Sequence, residues 1–201
     1  MKEVILTSIY EKIVDEGRMQ SKLCKVEERE PENNWQNSFY LARLKGLSPQ
    51  VKSFNFKLLH QILPLKERLS QILPATSPIC PLCRTQEPET IMHALFNCEK
   101  NREAGQYILQ LTRVYDSTIN MDKIMRLQLN TEVLYELPTL LAVCTSFELI
   151  WRNRQMKKST RLYDIRAELE SQVLALRKAR PKKLREAGNI IHNTLQNFPP
   201  S

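Results

Sequence analysis

Glycine is scarce, with four in 201 residues. So few leave little material for the tight turns of β-hairpins, and the long stretches of Leu, Glu, Lys and Arg recur at helical spacing, so the expected fold is mainly α. Long apolar runs are also missing. The most apolar region, 140–151, is interrupted by Thr145, Ser146 and Glu148, which excludes a membrane-spanning helix from the expectation. The first residues, Met1-Lys2-Glu3-Val4-Ile5-Leu6, turn polar at once and carry neither the apolar stretch nor the cleavage site of a signal peptide. An intracellular location, nuclear or cytoplasmic, is the expectation. No Gly-rich phosphate loop is present, and no acid, base and nucleophile can be grouped with any specificity. The chain is therefore not expected to be an enzyme or to take a small-molecule substrate, and no catalytic residue is assigned.

What the chain does contain is a set of metal-ligand residue types at close spacing. Cys80-Pro81-Leu82-Cys83 is a C-x2-C pair, and His93 to Cys98 forms an H-x4-C pair shortly after it. Five cysteines in a reducing compartment do not suggest a disulfide framework. Three thiolates and an imidazole suit a tetrahedral zinc ion, and four protein ligands leave no open position for water, so one structural zinc is expected on Cys80, Cys83, His93 and Cys98. On an unbroken α-helix His93 and Cys98 would lie about 140° apart, so the helix must end or unwind before Cys98. Glu89-Thr90 is suited to cap that helix. The other two cysteines, Cys24 and Cys144, fall on apolar helical faces and read as small core residues.

Three segments are expected. Residues 1–34 form an N-terminal helical segment (2–16) and a linker; 35–102 form a helical zinc-binding module; 103–201 form a C-terminal helical region. Within the second, a helix over 35–44 precedes Gly46, and Ser48-Pro49 marks the start of another that runs toward Leu63-Pro64; a short one follows over 66–73. Further helices are marked by Tyr107 to Val114, by Ile124 and Leu127, and by residues 184–195. A stripe from Thr139 through Phe147, Trp151, Leu162 and Leu169 to Leu176 reads as one long helix, with a break near Lys157-Lys158-Ser159 plausible on length. Trp35 and Trp151 lie in apolar stripes and read as core rather than as base-stacking residues, and His60 reads as packing or capping.

The net charge of +8 is concentrated. Residues 150–186 hold 12 Lys/Arg against 4 Asp/Glu, and the rest of the chain is balanced. Such a field attracts phosphate backbones without specifying sequence, and Arg152, Arg154, Lys157, Lys158 and Arg161 are the first candidates for contact with RNA or DNA. The plainer alternative is a solvated helix face.

The order of signals resembles the zinc-binding segment at the C-terminal end of reverse transcriptases from LINE-type, non-LTR retrotransposons. It is carried by Lys52-Ser53-Phe54-Asn55-Phe56-Lys57-Leu58-Leu59-His60-Gln61-Ile62-Leu63-Pro64-Leu65-Lys66-Glu67-Arg68-Leu69, then Cys80-Pro81-Leu82-Cys83, Glu89-Thr90-Ile91-Met92-His93 and Phe96-Asn97-Cys98. The resemblance covers about residues 35–102 and implies the same four zinc ligands. It also implies an accessory role in target-primed reverse transcription, holding RNA or DNA near a reverse-transcriptase polypeptide. There are departures. No Asp-Asp dipeptide supplies the paired carboxylates of a polymerase metal site, and no Asp or Glu stands two residues before a Lys, so the nuclease signature of some relatives is missing. The chain thus looks like a fragment of a retroelement protein or a gene derived from one. Binding of nucleic acid is the first expectation; a protein-interaction scaffold with a purely structural zinc is the second.

Overall fold

The computed structural model describes Ser38, residues 46–128 and residues 133–197. Ser38–Ser201 forms one compact unit, which holds all of these. The expected helix over 2–16, the linker before Trp35, most of the helix over 35–44, and Cys24 lie outside the described residues.

The Ser48-Pro49 signal begins α1 (Pro49–Leu59). Ser48 Oγ accepts the Val51 N–H at 3.2 Å, and proline occupies the first turn, where its missing N–H has no intrahelical partner to lose. Val51, Phe54, Leu58 and Leu59 form its buried face. The helix stops earlier than the apolar pattern suggests. Gln61 takes a left-handed conformation with φ 54°, and the Ile62 N–H bonds back to the Lys57 carbonyl at 2.9 Å, so the turn closes before Leu63-Pro64 is reached. His60 caps this end with its ring 4.2 Å from that of Phe56, a packing and capping role.

The remaining helices are α2 (Lys66–Ile72), α3 (Arg102–Arg113), α4 (Met121–Met125), α5 (Val133–Gln155), α6 (Leu162–Arg177) and α7 (Lys182–Asn197), with a π-turn (His93–Asn97) ahead of α3. No strand occurs among the described residues; one isolated antiparallel bridge joins Ile79 and Pro88.

The bundle is organised around α5. Every residue from Thr139 to Phe147 is buried, because helices pack around this stretch and even its polar Thr139, Thr145 and Ser146 are enclosed. Packed against it are α1, α3, α6, α7 and the π-turn. Cys144 lies fully buried in this core, and Trp151, 7% exposed, places its ring 6.3 Å from that of Phe54.

The long C-terminal stripe is two helices. After Gln155 the chain turns through Lys157, which takes φ 55°, and the Lys158 N–H returns to the Asn153 carbonyl at 2.9 Å. The 23-residue α5 is the longest helix described. Ile165, Leu169, Val173 and Leu176 continue the apolar stripe on α6, folded back against α5.

Candidate metal centre

Two local structures deliver the four candidate ligands. The first is the bridge between Ile79 and Pro88, tightened by the Cys80 N–H to the Glu87 carbonyl at 3.0 Å and the Glu89 N–H to the Pro78 carbonyl at 2.9 Å. It turns the chain at Pro81 and Leu82, so that both sulfurs of the C-x2-C pair face one point. The Leu82 N–H also approaches Cys80 Sγ at 3.5 Å.

The second is the π-turn. Thr90 Oγ1 accepts the His93 N–H at 3.0 Å and starts the helix, as the sequence suggests. The chain then rewinds, with the Cys98 N–H bonded to the His93 carbonyl at 2.7 Å. An i→i+5 bond stacks residue 98 over residue 93 much as an i→i+4 bond does in an α-helix. The unwinding that the 140° separation demands therefore takes the form of a wider turn rather than a helix end.

The ligand atoms of Cys80, Cys83, His93 and Cys98 all lie within 4.8 Å of one another. Cys80 Sγ is 3.9 Å from Cys98 Sγ, and Cys83 Sγ is 3.3 Å from His93 Nε2. With bonds of about 2.3 Å to sulfur and 2.0 Å to nitrogen, a tetrahedral zinc site needs S–S and S–N separations of roughly 3.8 and 3.5 Å. The donor set fits one zinc ion with small adjustments. None of the described cysteines is in a disulfide.

Burial pushes the Cys98 thiol up to about 12, against the opposing backbone N–H of Lys100, and burial likewise raises Cys80. At Cys83 burial also opposes the thiolate, but hydrogen bonds from the side chain and backbone of Thr85, with those of Cys80 and His93, bring the thiol to about 7. A bound cation supplies the charge that lets three close sulfurs ionise together.

Sequence reasoning missed Glu87. Its Oε2 lies 2.8 Å from His93 Nδ1, a contact that, with zinc bound, would hold the ring proton on Nδ1 and free Nε2 for the ion. Replacing Glu87 by Gln is expected to weaken zinc binding about tenfold in competition with a chromophoric chelator, with helicity unchanged. An unaltered affinity would make the contact incidental. The signal lay in sequence, a carboxylate six residues before His93, but only the bridge at Pro88 brings it to the ring.

The site is tied to the helical bundle by three side chains and a glycine. Phe96 packs edge-on against Phe147 of α5, ring centroids 5.2 Å apart, a pair worth about 0.5–1.5 kcal/mol beyond its buried area. Gly105 of α3 permits the closest approach: an added Cβ would sit 2.8 Å from the Leu95 carbonyl oxygen and 2.9 Å from Phe96 Cα. Asn101, fully buried, donates to the Ala94 carbonyl at 3.0 Å and accepts the Thr160 N–H at 3.2 Å. Glu89, also fully buried, accepts the Lys66 N–H at the start of α2 at 2.8 Å, and its two oxygens take the Arg154 guanidinium, with Nε to Oε1 at 2.7 Å. Thr90 acts as the cap; Glu89 does this other work instead.

That pairing separates the five basic residues singled out in the sequence. Arg154 departs from the phosphate-contact expectation, since its side chain is 11% exposed, turned inward to Glu89 and stacked 4.8 Å over the Trp151 ring. Arg152 reaches Glu168 at 2.9 Å and Glu148 at 3.7 Å. Arg161 pairs with Asp164 at 3.3 Å but is 76% exposed. Lys157 and Lys158 are exposed and have no acidic partner among the described residues. With Asn153, Ser159, Arg161 and Asp164 they line an open groove of about 800 Å³ at the turn between α5 and α6.

Among the described residues no helix is long and apolar enough to cross a membrane. Comparison with curated proteins gives no match. Comparison with solved structures gives none either. A family model does match: residues 18–104, less than half of the chain, fit the family described as zinc-binding in reverse transcriptase. That segment of the chain is thus similar to the zinc-binding module of reverse-transcriptase-related proteins, and Cys80, Cys83, His93 and Cys98 within it form the site that could hold one zinc ion.

Proposed function

We propose that this chain is a zinc-stabilised accessory module of a LINE-type reverse-transcriptase protein, binding the phosphate backbone of RNA or DNA without catalysis of its own. The observation that carries the reading is the exposed cation cluster Lys157, Lys158 and Arg161 beside the open groove, in the segment that holds the chain's whole charge excess. Exposed ion pairs such as that of Arg161 contribute little, so a phosphate can compete for the guanidinium. The zinc, when bound, is structural: it fixes the π-turn, which Asn101 links to Thr160 beside those cations.

The test is binding of a labelled oligonucleotide across a salt series. Lys157→Glu combined with Lys158→Glu is expected to weaken binding at low salt and to lower the slope of log affinity against log salt by about 2, one unit per lost phosphate contact. Unchanged affinity and slope would remove the reading. Retention of a polypeptide partner after nuclease treatment, by a protein that ignores RNA and DNA, would favour the scaffold instead.

A further inference from the structure

Tyr163 lies in the chain between Arg161 and Asp164, both of which line the groove. It is the second residue of α6, two positions after Arg161, and at 71% exposure it is more open than the other large apolar side chains described as exposed. An aromatic ring in water leaves a large apolar face unburied, more of it than Leu174, Val114 or Met156 expose. On a helix the side chain four positions on leans back over its predecessor, and here that residue is the small Ala167, so the next turn leaves the ring uncovered. Arg166, three positions on, is drawn to Glu170 at 2.8 Å.

The residues just before Tyr163 in the chain are rich in cations. Lys157, Lys158 and Arg161 precede the ring in the chain, with Asp164 as the adjoining acid. Cations alone hold a backbone and cannot tell a single strand from a duplex. A bare aromatic face adds a preference, because the bases of a duplex are already stacked and only an unpaired base can lie on the ring. Resting on the nucleic-acid reading above, we propose that Tyr163 is a stacking platform for an unpaired base whose flanking phosphates are held by Lys157, Lys158 and Arg161, which makes single-stranded nucleic acid the preferred ligand. Either ribose or deoxyribose chemistry satisfies such a platform; parallel RNA and DNA oligonucleotides distinguish the sources.

The experiment measures fluorescence anisotropy with labelled single-stranded RNA, single-stranded DNA and a duplex of the same sequence, using the full chain loaded with zinc. Wild type is expected to prefer a single strand. Tyr163→Ala should weaken single-strand binding about tenfold and leave duplex binding unchanged, while Tyr163→Phe, which keeps the ring, should bind like wild type. Circular dichroism should be the same for all three, since the side chain is mostly exposed. If Tyr163→Ala binds single strands normally while the Lys157→Glu/Lys158→Glu protein does not, the platform is overturned and the phosphate-contact reading stands. Equal losses on single strand and duplex also overturn it. If neither variant changes binding, both fail together. Loss of self-association or of a polypeptide partner, with nucleic-acid affinity intact, would assign the ring to a protein interface and overturn the proposal.

Discussion

Removing zinc with a strong chelator, or replacing Cys98 by serine, is expected to abolish most of the helical signal of residues 46–197 rather than to loosen one loop. Cys98 is fully buried at the end of a π-turn whose Phe96 packs on the central helix, and Asn101, three residues on, is bonded to both Ala94 and Thr160. Apparent binding energies of structural zinc at neutral pH run to about 10–16 kcal/mol. Whole domains of this size are stable by about 5–15 kcal/mol, so the metal-free fold has little left. The pH dependence has a definite sign. Without metal, Cys98 titrates at about 12 and Cys80 above its ordinary value, so both carry protons at neutral pH that zinc must displace. Apparent zinc affinity should therefore rise with pH, about tenfold per unit for each proton released, and collapse on acidification. Zinc stoichiometry by atomic absorption with circular dichroism from pH 5 to pH 8 reads both. A protein that stays helical and cooperative with no zinc bound would refute the structural role.

Truncating Arg154 to alanine should lower stability by about 3–5 kcal/mol, because it strands the fully buried Glu89 carboxylate without its counter-charge. In a chain of this size that is a fall of about 10 °C in melting temperature. Replacing both partners, Glu89→Gln with Arg154→Met, should recover a large part of the loss, since neither leaves a buried ion behind. Denaturant melts of the two single variants and the double variant give the coupling directly. Should Arg154→Ala melt within about half a kcal/mol of wild type, the bridge is not holding the zinc-bearing segment to α5.

The parts legible in the sequence are those carried by local chemistry. The Cys3His set is a matter of residue type and spacing, and the cap at Ser48-Pro49 is a two-residue signal that the structure repeats. The angular argument for His93 and Cys98 showed that the helix had to change there, without showing that the change would be a π-turn. Helix ends were harder. The left-handed positions that close α1, α4 and α5 are occupied by Gln61, Leu127 and Lys157, not by glycine, so the usual stop signal is silent. Leu127 is held there by complete burial, a tertiary effect no local pattern contains. The same limit hides the Glu89–Arg154 pair, whose members are 65 residues apart, and the openness of Tyr163, which depends on the smallness of Ala167.

The buried carboxylate of Glu89 bears on how such a module travels. The family match ends at residue 104, yet the charge that neutralises Glu89 is supplied by residue 154, and the carbonyl and amide that Asn101 joins lie on either side of that boundary. A gene fragment cut where the likeness stops would inherit an unpaired internal ion together with its zinc ligands. The segment that carries the likeness and the segment able to stand alone are then different lengths, and any transplant of this metal site must bring α5 with it.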